Sequence, residues 1–144
     1  MSLAENLEKL SNANGVAGRE TEVRNLMVKF LEPYADEVVV DRLENVIAIK
    51  KGKKAAPKVM LAAHMDEVGL MVKTITKEGF LQFTKMGGID DRILLAQKVN
   101  VLTEKGALPG VVGSKPPHIQ KEEERKKNEE EIAERAVVAI GGVH

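Results

Sequence analysis

Apolar residues recur at helical spacing from the start of the chain. Leu3, Leu7 and Leu10 fall on one face of Ser2 to Ala13, and Ser2 is placed to cap that helix. Asn14-Gly15 stops it. After a turn ending at Gly18, Glu20 to Tyr34 gathers Val23, Leu26, Met27, Phe30 and Leu31 on one face, and Pro33 closes this second helix. The period then changes. Val38-Val39-Val40 and Val46-Ile47-Ala48-Ile49 flank a polar turn at Asp41 to Asn45, which predicts a β-hairpin. Lys50 to Ala56 reads as a basic, solvated connection. Val59 to Ala63 is a continuous apolar run between Pro57 and His64. Such a run predicts a central strand buried on both faces, and so an α/β sheet covered by helices.

From Gly69 the pattern becomes short strands broken by glycine. Leu70 to Ile75, Phe80 to Lys85, Val99 to Thr103 and Val111-Val112 are separated by turns at Lys77-Glu78-Gly79, Gly87-Gly88 and Glu104-Lys105-Gly106. Close spacing of this kind predicts a small barrel or sandwich, with a boundary near Val68-Gly69. After Pro116-Pro117 the pattern shifts again. Gln120 to Arg135 is dominated by Glu, Lys and Arg, and only Ile132, Ala136, Val137 and Ile140 form an apolar stripe near its end. This predicts a solvated helix whose last turns dock, ended by Gly141-Gly142. Three regions result: 1–68, 69–118 and 119–144. No internal repeat is present.

Composition narrows the function classes. The 144 residues carry 22 basic and 22 acidic side chains, so the formal net charge is zero. That removes the electrostatic drive for nonspecific nucleic-acid binding. Aromatic residues are only 3%, which leaves no stacking platform for single strands. No apolar run approaches the roughly 18 residues that span a bilayer, and Met1 to Leu10 is too charged for a signal peptide. The absence of cysteine excludes disulfides, thiolate metal sites and a Cys nucleophile. A soluble, cytoplasmic protein without nucleic-acid or membrane partners is expected.

The most suggestive chemistry lies in Ala62-Ala63-His64-Met65-Asp66-Glu67-Val68-Gly69. His64 and Asp66 follow the predicted buried strand, and ligands of open α/β sheets bind at strand carboxyl ends. Residues two apart share a side of an extended chain. An imidazole there is able to ligate a metal while the carboxylate fixes its tautomer and raises its basicity. Spacing alone favours a plainer reading, a polar surface turn, because His-x-Asp is common by chance.

The wider sequence changes that weighting. Gly15-Val16-Ala17-Gly18-Arg19-Glu20, Ala62 to Val72 (AAHMDEVGLMV), Gly79-Phe80-Leu81, Gly87-Gly88-Ile89, Ala96-Gln97-Lys98-Val99 and Gly110 to His118 (GVVGSKPPH) occur in a familiar order. Over about Ala4 to Lys127 the chain closely resembles the tetrahedral (TET) aminopeptidases of the glutamyl aminopeptidase family, two-metal peptidases often labelled endoglucanases. The resemblance implies an N-terminal part of a zinc-peptidase-type α/β layer, then part of a small β-barrel dimerisation insert, then a C-terminal helix. It implies that His64 ligates one of two zinc or cobalt ions and that Asp66 supports the site from behind it. Such a site lowers the pKa of a bridging water and polarises the scissile carbonyl, so that N-terminal residues are removed from peptides near neutral pH. It also implies homo-oligomeric assembly.

The departures set the other expectations. The family enzymes are considerably longer, and their bridging Asp, Glu-Glu pair, later metal Asp and final His lie beyond the insert. None of these motifs follows Lys127. Asp90-Asp91-Arg92 resembles the bridging motif but stands at the wrong place in the order, and reads better as a turn before Ile93 and Leu94. Glu129-Glu130-Glu131 reads as solvated helix, and His118, His144 and Ser114 lack the context of ligand or nucleophile. The leading expectation is a truncated or internally deleted aminopeptidase, inactive alone, that takes peptide substrates in its complete form. The rival is a non-catalytic interaction or assembly module derived from the same family. A third alternative is a degraded gene product.

Overall fold

A computed structural model of the chain describes residues 2–113 and 136–140. The chain divides into two units, Met1–Glu67 and Val68–His144. In the first, helix α1 (Leu3–Asn12) starts at a capping box. The Ser2 hydroxyl accepts from the Glu5 N–H at 3.2 Å, and the Glu5 carboxylate accepts from the Ser2 N–H at 2.8 Å. Two donors that no helical carbonyl reaches are thereby satisfied. Helix α2 (Thr21–Leu31) follows and packs on α1, with Val23 buried. Strands β1 (Glu37–Val40) and β2 (Val46–Ile49) pair antiparallel, Val38 opposite Ala48, and β2 lies against α2.

The hairpin turn is held by one carboxylate. Asp41 Oδ1 accepts from the N–H groups of Leu43 at 2.8 Å and Asn45 at 2.9 Å, and Oδ2 accepts from the Asn45 amide at 2.9 Å. This lets Glu44 adopt φ 67°, where it forms an ion pair with Arg24 of α2. Hydrogen bonds from Asn45 hold the Asp41 carboxyl below its ordinary pKa.

The predicted central strand is not formed. Residues 57–63 have no regular structure, and Val59, Met60 and Leu61 are 81%, 87% and 94% exposed. A doubly buried strand needs neighbours for its N–H and C=O groups and layers over both faces. Among the described residues nothing pairs with this run. The first unit therefore contains two strands rather than about three.

Among the described residues the second unit is a five-stranded antiparallel sheet. Its strands are β3 (Gly69–Ile75), β4 (Leu81–Met86), β5 (Lys98–Thr103), β6 (Gly106–Gly113) and β7 (Val137–Ile140), in the order β3-β4-β7-β6-β5. A short 3₁₀ turn, Asp91–Ile93, connects β4 to β5. Leu81 and Phe83 of β4, Val112 of β6, Val138 of β7, Ala136 and Leu94 make the core, with Leu70, Ile89, Val99 and Val101 packed against it. Each large apolar side chain removed from water in this way contributes about 1.5–3 kcal/mol. Gly110 allows β6 and β7 to approach, since a Cβ there would stand 2.7 Å from Val138 Cγ1.

Strand β7 corrects a second expectation. Residues 114–135, and with them most of the predicted helix, lie outside the described residues, but Val137–Ile140 form a strand and not helical turns. Ala136 and Val138 are 1% and 4% exposed while Ala139 faces out, so the burial period here is two rather than 3.6. Val137, Val138 and Ile140 are β-branched, and the ladders of β4 and β6 offer partners on both sides. Among the described residues the sheet has edges at β3 and β5, and no helix is long and apolar enough to cross a membrane.

Candidate functional site

His64 lies in an irregular segment, not at the end of a strand, because the strand expected before it does not form. Its pairing with Asp66 is present nonetheless. The ring Nδ1 stands 3.0 Å from Asp66 Oδ1 and 3.0 Å from the Asp66 carbonyl oxygen. Both partners accept, so Nδ1 carries a proton and, in the neutral ring, Nε2 has the lone pair. The imidazole is 85% exposed, which leaves Nε2 open to solvent. This is the tautomer and orientation that a metal ligand needs.

The segment is anchored by residues to which the sequence analysis gave no role in the site. The Glu67 N–H donates to the Gly15 carbonyl at 2.7 Å, and the Glu67 carboxylate accepts from the Gly15 N–H at 2.9 Å. Val16 and Glu67 thus form an isolated parallel bridge. Gly15 is required by close approach: a Cβ would stand 2.8 Å from Val23 Cγ2 and 3.2 Å from the Met65 carbonyl. Asn14 is held in its place by Glu22 of α2, whose carboxylate accepts from the Asn14 side-chain amide at 2.9 Å. In sequence, Asn14-Gly15 reads as a helix stop and Gly15 as the start of a family motif, with nothing to link either to Glu67. Pairing between positions 52 apart leaves no local signature.

The other acidic candidates are engaged elsewhere. Asp90 caps the 3₁₀ turn and binds the Arg92 guanidinium through both oxygens, at 3.0 Å and 2.6 Å. Those bonds pull its pKa down to about 2. Asp91 pairs with Lys85 at 2.5 Å, and Lys85 also donates to the Ile89 carbonyl at 3.0 Å. Asp90-Asp91-Arg92 therefore pins a turn, as the order of motifs implied. Ser114, His118, Glu129-Glu130-Glu131 and His144 lie outside the described residues. Among the described residues no group of three or more His, Cys, Asp or Glu is placed to hold a metal ion. The His64–Asp66 pair fits one ligand and its orienting carboxylate, and does not by itself fill a coordination shell.

The chain is 49% identical over 117 residues to a lysyl aminopeptidase of Pyrococcus furiosus, an overlap of 81% of this chain and 33% of that protein. It superposes with a TM-score of 0.87 on a TET aminopeptidase from a marine-sediment Thaumarchaeota archaeon, at 45% identity over 96% of this chain and 38% of the other. The Pyrococcus horikoshii TET1 peptidase, which can assemble into a tetrahedron or a large octahedral shell, matches with a TM-score of 0.78 at 37% identity, over 98% of this chain and 41% of that one. The chain thus spans about a third of the length of the curated relatives it matches. Residues 44–141, which include the His64–Asp66 pair and the five-stranded sheet, match the M42 glutamyl aminopeptidase family, and the chain belongs to that family.

Proposed function

We propose that this chain contributes one wall of a metal-dependent aminopeptidase centre, with His64 as a ligand of a zinc or cobalt ion and Asp66 as the carboxylate that orients it. The observation that carries the reading is the His64 ring itself, held at Nδ1 by Asp66 at 3.0 Å with Nε2 open to solvent. When bound, such an ion supplies an activated water and polarises the scissile carbonyl. This chain's own contribution is narrower: Asp66 fixes the tautomer, and the anchored segment fixes the direction in which the imidazole points. One imidazole does not hold two ions, so the remaining ligands and the general base come from outside the described residues. The chain alone is accordingly inactive on peptides. Region 69–118, with the sheet strands it contains, serves assembly into a homo-oligomer, a reading supported by the assemblies of the P. horikoshii relative. The whole acts in the cytoplasm on the N-termini of peptides.

The test is transplantation. Residues 1–113 replace the corresponding part of the P. furiosus lysyl aminopeptidase, and release of N-terminal residues from peptides is assayed with added zinc or cobalt. The chimera is expected to be active, His64→Ala in it to lose activity by about a hundredfold or more, and the 144-residue chain alone to show none. An active chimera that tolerates His64→Ala would overturn the assignment. Full activity from the chain alone would overturn the division of ligands.

A further inference from the structure

The peptide unit joining Asp66 to Glu67 is a rigid plane with a hydrogen bond at each end. Its carbonyl, on Asp66, accepts from His64 Nδ1 at 3.0 Å. Its N–H, on Glu67, donates to the Gly15 carbonyl at 2.7 Å. Whatever fixes the Glu67 N–H therefore also fixes the acceptor that holds the imidazole. The Glu67 carboxylate completes this arrangement by accepting from the N–H of Gly15 itself, at 2.9 Å. Gly15 is consequently gripped through both of its backbone polar groups by one residue. It has little room to shift, because Val23 and the Met65 carbonyl close on the position of its missing Cβ. Asn14, one residue earlier, is bonded to Glu22 through both its backbone N–H and its side-chain amide, at 3.2 Å and 2.9 Å. A continuous path runs from α2 through Glu22, Asn14, Gly15 and Glu67 to the acceptor of the His64 ring.

We infer that Glu67 is a positioning residue for His64: by holding Gly15 it fixes the Asp66–Glu67 peptide plane and so the tautomer and direction of the imidazole. The inference rests on the proposed role of His64 as a metal ligand. It requires an acceptor at the Glu67 position and not a charge. Glu67→Gln retains the acceptor, whereas Glu67→Ala removes it and Glu67→Asp withdraws it by one methylene.

The experiment uses the full 144-residue chain, with the ¹⁵N resonances of the His64 ring followed by NMR during titration with zinc ion alone. In the parent chain and in Glu67→Gln the ring is expected to keep its proton on Nδ1 and to bind zinc within about twofold of one another. In Glu67→Ala and Glu67→Asp the ring is expected to become a mixture of tautomers and zinc binding to weaken about three- to tenfold, below the range for direct partners of a ligand because Glu67 acts one step further out. His64→Ala, followed through the backbone amide resonances in the same zinc titration, separates the two ideas. If it leaves the zinc response of the chain unchanged, the metal-ligand reading fails whatever Glu67 does. If it abolishes that response while Glu67→Ala keeps parental affinity and a single tautomer, the positioning role fails alone. Glu67→Gln behaving like Glu67→Ala would also overturn it. Should Glu67→Ala not fold, Glu67→Gln against Glu67→Asp separates the same outcomes.

Discussion

Asp90 and Arg92 show how a side chain is diverted from chemistry by its neighbours. Charge-assisted bonds from Arg92 hold both oxygens of the Asp90 carboxylate, and its pKa of about 2 lies below the unfolded value of about 3.9. A carboxyl depressed by folding stabilises the native state fully above its unfolded pKa, and that stabilisation is lost as pH falls towards the folded one. The Asp90 carboxyl resonance should therefore titrate near pH 2 in the folded chain, with Asp90→Asn removing part of the acid dependence of stability between about pH 4 and 2. A midpoint near 4 would show that the pair does not persist in solution. Gly15 makes the opposite case, a position where nothing can be added. Gly15→Ala drives a methyl onto Val23 and the Met65 carbonyl and should cost about 1–3 kcal/mol in chemical denaturation. The pairing of His64 with Asp66 was legible in the sequence because it spans two residues of one extended segment. The contribution of Glu67 was not, because its partner is fixed only when α2 brings the Asn14-Gly15 turn against it.

The elements divide by where their partners lie. Helices α1 and α2 and the β1–β2 hairpin are specified by local signals, namely the Ser2 cap, apolar faces and the polar turn at Asp41 to Asn45, and all were legible. Two elements were not. Val59 to Leu61 has the composition of a buried strand but lacks paired neighbours among the described residues, so propensity alone does not order it. Val137–Ile140 follows a charged run that suggests helix, yet two open ladders and β-branched side chains make it a strand. Its place between β4 and β6 yields a specific expectation. Val138→Ala should destabilise the second unit by about 1–3 kcal/mol, and the paired amides of Val137 to Ala139 should exchange as slowly as those of β6. Rapid exchange there would remove β7 from the sheet.

The two units differ sharply in how much they bury. Among the described residues, Leu81, Phe83, Leu94, Val112, Ala136 and Val138 form a shared core in the second, whereas the first buries Ala13 and Val23 alone of its apolar side chains. Leu3, Leu7, Leu43 and the run Val59 to Leu61 remain exposed in that first unit. Exposed apolar surface of this kind drives association. Light scattering is expected to give a mass above that of one chain, increasing with concentration, and a monodisperse monomer would contradict this. Hydrogen exchange should likewise find the first unit opening before the second. The chain belongs to the M42 family, and among its described residues no group of three or more His, Cys, Asp or Glu is placed to hold a metal ion. The decisive measurement is equilibrium dialysis of the purified chain against zinc or cobalt, followed by metal analysis of the parent and of His64→Ala. Fewer than two ions per chain, weakly held and lost in His64→Ala, is the predicted result. Two ions retained through dialysis, or retention unchanged in His64→Ala, would contradict it.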